Sequence, residues 1–197
     1  MLEDGLHGVP AGHTASVVTY LEMRSEAPAR PCADLPLQLQ RVMRPDPDWY
    51  LRLFRRVGDA WLWFGRLEMA RTELERLLED PLVHVHAVRD GEAEVGLLEL
   101  DFREPGQCEL AYFGLVPEAV GGGAGRWMMN EAIRMAWAEG ITRFHVHTCT
   151  LDHPDALEFY RRSGFVAYKR EIEIAPDPRL IGLIPESAAA HVPLIRA

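Results

Sequence analysis

Four glycines, Gly121, Gly122, Gly123 and Gly125, crowd into one short stretch, and no other segment limits the fold so tightly. Glycine loses more conformational freedom on folding than any other residue, so such density marks a backbone path that side chains would obstruct. An apolar run over residues 110–116 enters the stretch as a strand would. A helical pattern leaves it, with Met128, Met129, Ala132, Ile133 and Ala136 on one face and Gly140 as its stop. Strand, glycine loop and helix in that order form an anion cradle. The loop turns its N–H groups inward, and the helix adds its free N–H groups and positive dipole end. The expected ligand is a phosphate or pyrophosphate. A Walker loop is excluded, because Gly125 is followed by Arg126 and Trp127 rather than by Lys and Ser or Thr. A dinucleotide fingerprint belongs in the first βα unit with an acidic residue about 20 positions on. Here the loop lies past mid-chain, and Glu139 falls inside a helical stretch.

The 197 residues suffice for one domain with a real core. No apolar run approaches a membrane span, and the start, MLEDGLHGVP, lacks the basic and apolar regions of a signal peptide. Cys32, Cys108 and Cys149 are odd in number and irregular in spacing, which fits a reducing cytoplasm. A net charge of −9 argues against bulk nucleic-acid affinity and agrees with a cationic acceptor.

In chain order, residues 13–24 read as a first strand, and residues 27–36, with Pro28, Pro31 and Pro36, as a loop. Asp46 or Asp48 caps a helix carrying Trp49, Leu53 and Val57 and ending at Gly58. An aromatic run, Trp61-Leu62-Trp63-Phe64, follows. Residues 72–78 form a short amphipathic helix with Thr72 and Glu75 as a capping box. Residues 83–88 and 93–102 form a hairpin through Asp90-Gly91, and residues 109–116 add a strand. After the glycine loop and its helix come a strand over 142–148, a helix over 154–163 and a long strand over 165–174. This order, β-α-α-β-β-β-α-β-α-β, predicts an α+β domain on a mixed sheet. An N-terminal extension over 1–13 precedes a domain over 14–175. The Pro-rich tail over 176–197 is expected to wrap the domain or meet a dimer partner.

The segment ALEFYRRSGF, residues 156–165, has a physical reading of its own. Pro154 suits a first helical turn behind His153 or Asp152 as cap, Ala156 and Tyr160 share a face, and Gly164 ends the helix in a left-handed cap. Together with Val116-Pro117 and the six positions Val120 to Gly125, it resembles the GCN5-related N-acetyltransferase (GNAT) superfamily, in an uncharacterised bacterial branch. That family carries Gln/Arg-x-x-Gly-x-Gly/Ala after a strand ending in Val-Pro, then Ala-x-x-Phe-Tyr-x-x-x-Gly-Phe. Val120 departs from the usual Gln or Arg, whose side chain a backbone cradle does not need.

The resemblance implies a GNAT fold with a central, mostly antiparallel sheet flanked by helices. It implies acetyl-CoA as co-substrate, held by Leu115, Val116, Val120, Gly121, Gly122, Gly123, Ala124, Gly125, Arg126 and Tyr160. Tyr160 is implied as the acid that protonates the departing thiolate; a phenol of pKa about 10 matches a thiolate in basicity. The strand before the loop is implied to splay and to pair its backbone with pantetheine. A backbone N–H near Leu115 or Val116 would then stabilise the developing oxyanion; Gly114 permits a bulge there.

Amine acetylation needs a neutral nitrogen, so a carboxylate base is sought. Glu109 alternates with Ala111, Phe113 and Leu115, and Glu99 with Leu97 and Asp101, on adjacent strands. The resemblance places the base at Glu109, ahead of Glu99. His145, His147 and Cys149, like His84 and His86, alternate on strands without the spacing of a zinc module, so no metal is expected. His147 is retained as an acceptor-pocket residue. Trp61 and Trp63 are either core or the aromatic wall of that pocket, where a cation would bind. The expected activity is cytoplasmic N-acetyl transfer from acetyl-CoA to a primary amine, small or peptidic, by direct attack in a ternary complex. A homodimer is compatible with it. An acyl-CoA sensor without turnover, or a partner-binding domain on the same fold, is the alternative.

Overall fold

The computed structural model describes residues 3–196; Met1, Leu2 and Ala197, the outermost residues of the expected extension and tail, lie outside the described residues. Seven strands form one sheet: β1 (His13–Met23), β2 (Leu37–Arg41), β3 (Val83–Asp90), β4 (Ala93–Asp101), β5 (Gln107–Leu115), β6 (Arg143–Cys149) and β7 (Val166–Pro176). Their order across the sheet is β2-β3-β4-β5-β6-β1-β7. Each adjacent pair is antiparallel except β5 and β6, which are parallel because a helix crosses between them. Helices α1 (Pro47–Gly58) and α2 (Arg71–Glu79) cover one face of the sheet, and α3 (Ala124–Ala138) and α4 (Ala156–Arg162) the other.

Two packed cores follow from this layering. Tyr50, Leu53, Phe54 and Leu74 meet Leu97 and Val116 on the α1 face. Met128, Met129 and Ala132 meet Leu98, Leu100, Phe144 and Val146 on the α3 face. The Pro-rich expectation for residues 27–36 missed the adjoining β2, whose five residues alternate half-buried Leu37 and Leu39 with exposed Gln38 and Gln40. Five residues at a sheet edge carry too little pattern to stand out from a Pro-rich loop.

Helix ends match the expected chemistry in part. Asp46, not Asp48, caps α1, accepting from the N–H groups of Asp48 (3.0 Å) and Trp49 (2.9 Å). The capping box at Thr72 does not form. Helix α2 starts at Arg71 behind Ala70, and Glu73 reaches back to the Ala70 N–H without a reciprocal side-chain bond. Helix α4 starts at Ala156 behind Asp155, leaving Pro154 outside it.

One irregularity governs the site. Glu99 pairs with Tyr112 but Leu100 pairs with Leu110, so Ala111 is an extra residue in β5. A bulge reverses the facing of everything beyond it. Cys108 and Leu110 before it, and Phe113 and Leu115 after it, all pack on the α3 face, while Tyr112 and Val116 pack on the α1 face. The expected alternation of Glu109 with Ala111, Phe113 and Leu115 is therefore wrong, and the bulge falls at Ala111 rather than Gly114. Just past Glu109, β5 and β6 part. They pair only from Gln107 to Glu109 against Arg143 to His145.

Candidate active site

The opening between β5 and β6 is the centre of a cavity of about 1780 Å3 that reaches both faces of the sheet. On the α3 face it meets the glycine loop. Gly121 (φ 101°) and Gly123 (φ 90°) occupy the left-handed region, which L side chains adopt only under strain. Gly123 stands at the start of α3 with no side-chain cap, and the first helical bond runs from Trp127 N–H back to Gly123 O (3.1 Å). The N–H groups of Ala124, Gly125 and Arg126 therefore lack helical partners. Val120, half-exposed, and Gly121, Gly123, Gly125 and Arg126 line the cavity, whereas Gly122 faces solvent and Ala124 is buried in the helix start.

Three arginines gather at this end. Arg126 donates to Pro31 O (2.8 Å), Arg30 donates through Nη1 to Ser163 Oγ (3.3 Å), and Arg162 lines the same cavity. Asn130 fixes the Arg30 backbone at both its N–H (3.0 Å) and its carbonyl (2.8 Å). None of the three has a carboxylate within 4.0 Å among the described residues. Burial and the neighbouring Arg126 and Arg162 cations hold the Arg30 pKa below its ordinary value. Such a cluster lacks an anion. Sequence reasoning missed Arg30, since nothing in a Pro-rich loop says which helix it lies against, and Arg162, although it ends α4 within the recognisable segment.

Within the opening, the Val116 N–H donates to Val95 O (2.9 Å) and is unavailable as an oxyanion donor. Because N–H directions alternate along a strand, those of Leu115 and Phe113 turn away from β4 into the gap. Tyr160 lines the gap from α4, packed among Phe113, Phe159 and Phe165 at ring distances of 6.3, 5.7 and 6.0 Å. Its hydroxyl has no hydrogen-bond partner among the described residues, and burial, with the Asp152 charge, pushes its pKa well up.

The α1 face of the opening is aromatic and acidic. Trp61, Trp63, Phe64 and Tyr112 line it with His147 and Asp152. Trp63 fits against two glycines: a Cβ on Gly58 would lie 2.6 Å from it, and one on Gly114 would lie 2.9 Å away. Its indole N–H donates to Asp152 Oδ1 (3.1 Å), while Asp152 Oδ2 accepts from Thr148 Oγ1 (2.6 Å) and the Cys149 N–H (3.0 Å). Trp61 stacks near His153 (5.1 Å) and the tail residue His191 (5.7 Å). Sequence reasoning missed Asp152 as a cavity residue, although its place just after β6 was legible.

The sequence profile of the Acetyltransferase (GNAT) family matches residues 47–165, which is more than half of the chain. The chain belongs to this family. A search of curated proteins returned no match. Among solved structures, an acetyltransferase from Thermus thermophilus shares 20% identity over 72% of this chain and 97% of its own, at a TM-score of 0.55. A GCN5-related N-acetyltransferase from Sphaerobacter thermophilus shares 14% identity over 86% of this chain and 53% of its own (TM-score 0.57). A conserved Staphylococcus epidermidis protein of unknown function shares 14% over 84% (TM-score 0.54), and this chain spans 63% of its length. At these identities the likeness is one of fold.

For this GNAT chain the two carboxylates expected near the chemistry stand in different surroundings. Glu99 is fully buried and outside the cavity; its Oε2 accepts from Tyr50 (2.5 Å) and its Oε1 pairs with Arg66 (2.6 Å). Glu109 is partly exposed but does not line the cavity, and its Oε1 lies 3.3 Å from His147 Nδ1. The His147 contact holds the Glu109 pKa below its ordinary value against the effect of burial. The same contact raises His147. Among the described residues, no three His, Cys, Asp or Glu side chains gather as a metal site.

Proposed function

We propose that this GNAT chain transfers an acetyl group from acetyl-CoA to a primary amine, by direct attack of the amine on the thioester in a ternary complex. The observation that carries this reading is the single cavity running from a basic loop, through the gap between β5 and β6, to an aromatic and acidic pocket. Arg30, Arg126, Arg162 and the free N–H groups at the start of α3 suit the phosphates of the nucleotide portion. The unpaired edge of β5 suits the amide-bearing arm, and the Leu115 N–H turns to where an oxyanion would form. Trp61, Trp63 and Asp152 suit a cationic amine entering from the other face.

Tyr160 is the protonated group placed for the departing thiolate, although burial lifts it above the match in basicity that a free phenol would have. Burial keeps its proton on, and its hydroxyl is unengaged. A covalent acyl-cysteine route has less support: burial and the Asp152 charge raise the pKa of Cys149, which disfavours the thiolate such a route needs. The sensor reading keeps one observation in its favour, the apolar Val120 at the mouth of the loop, 53% exposed.

Calorimetric titration with acetyl-CoA, followed by turnover with a panel of amines, tests the reading. Micromolar binding is expected, weakened at least tenfold by Gly123→Val, because a β-branched residue at φ 90° must distort the loop. Binding without turnover of any amine would leave the sensor. No binding to the folded protein would overturn both.

A further inference from the structure

Resting on the transfer reading, we infer that His147 is the group that takes the proton from the acceptor amine, with Glu109 as its positioning residue. Four observations converge on it. First, His147 lies two residues beyond the last pair of β5 with β6, Glu109 with His145, so on its β5 side it flanks the gap. Second, it lines the cavity on the amine side with its side chain 48% exposed, whereas neither Glu109, 34% exposed, nor buried Glu99 is among the lining residues. Third, Glu109 Oε1 stands 3.3 Å from Nδ1, a neighbour that favours a proton on that nitrogen, while Nε2 has no partner among the described residues. Fourth, the ring is steadied from the other side by Tyr20, its cross-strand neighbour, with centroids 5.7 Å apart.

The step balances without a further reactant. As the amine nitrogen bonds to the carbonyl carbon, one N–H proton passes to His147 Nε2. The C–S bond then breaks and the sulfur takes the Tyr160 proton. Water returns a proton from the imidazolium to the phenolate, so His147 and Tyr160 end as they began. His147 differs from Glu109 in a way that matters for rate. The imidazole is raised above its ordinary value and the carboxylate is held below its own, so His147 is the stronger base of the two.

The titratable groups around His147 are Glu109 and Tyr112 on β5, His145 on its own strand, Tyr20 on β1, Asp152 after β6 and Glu173 on β7. Glu109 acts most strongly, then burial opposes it, and Asp152 and Glu173 reinforce Glu109. The net direction is upward. The acid limb of kcat should therefore turn above about pH 6.5, the usual imidazole value.

The test combines kcat–pH profiles, with acetyl-CoA and a panel of ethylamine, 1,4-diaminobutane and lysine, with 15N NMR titration of the histidines. In the wild type, His147 should be an Nδ1–H tautomer titrating at the kinetic midpoint. His147→Gln should lower kcat by about 10²- to 10⁴-fold and abolish that limb, with acetyl-CoA affinity unchanged by calorimetry. Glu109→Gln should move both the limb and the NMR midpoint to lower pH, which a merely structural role would not do. Turnover with the limb intact in His147→Gln, or an Nε2–H tautomer, overturns the proposal alone. Acetyl-CoA binding without turnover of any panel amine overturns it together with the transfer reading.

Discussion

Tyr160 and Glu99 are both buried polar side chains, and their partners give them opposite uses. Tyr160 is 8% exposed with an unengaged hydroxyl in the gap, so Tyr160→Phe removes a proton donor and little packing. We expect kcat to fall by about 10²- to 10⁴-fold, with acetyl-CoA affinity near the wild-type value by calorimetry. Glu99 instead neutralises Arg66 beneath α1. Glu99→Gln leaves that guanidinium without its counter-charge and should cost about 3–5 kcal/mol in urea unfolding, with any loss of activity tracking the loss of fold. The sequence could separate these two only in part. Tyr160 sits in a local, recognisable segment. Glu99 owes its character to Tyr50 and Arg66, 49 and 33 positions away, and no periodicity reports such partners. The same holds for Glu109, whose neighbour His147 belongs to a different strand.

At the scale of elements, hydrophobic period and turn chemistry located six strands and four helices, because each had several residues of pattern. The extra residue at Ala111 was not legible: a bulge leaves composition untouched and only reverses which side chains face which layer. The parting of β5 from β6 was expected only through the family resemblance, since neither strand's own residues encode it. Its aromatic filling depends on Gly114, where an added Cβ would fall 2.4 Å from Val57 Cγ1 and 2.9 Å from Trp63. Gly114→Ala must push back Val57 and the Trp63 indole, which bonds Asp152. We expect a destabilisation of about 1–3 kcal/mol by denaturant unfolding, and a raised KM for the amine with acetyl-CoA binding much less affected.

At the scale of the molecule, the segment after β7 closes over the amine side. Ile184 and Ala189 pack on Leu62 and Leu151, and Arg55 donates to Leu183 O (2.6 Å). A buried pair organises it: Arg179 binds Asp177 (2.7 Å) and donates to the carbonyls of Ala189 (3.2 Å) and Val192 (3.0 Å). Prolines marked this segment as irregular in the sequence, but not which surface it covers. The Arg179 hydrogen bonds hold the Asp177 pKa below its ordinary value despite burial. Its contribution to stability is thus complete above the unfolded pKa of about 3.9 and is lost as pH falls through the lower folded value. Acid titration followed by Trp fluorescence should show the tail releasing below about pH 4, since Trp61 touches His191. Asp177→Asn should remove that step and lower stability at neutral pH by about 3–5 kcal/mol.

The position of β1 has a consequence for biosynthesis. Both of its neighbours in the sheet, β6 and β7, come from residues 143–176, more than a hundred positions downstream. The first strand of the sheet to leave the ribosome is therefore the one that waits longest for partners. The half of the sheet that carries His147 cannot assemble on a nascent chain until residues 143–176 have been made.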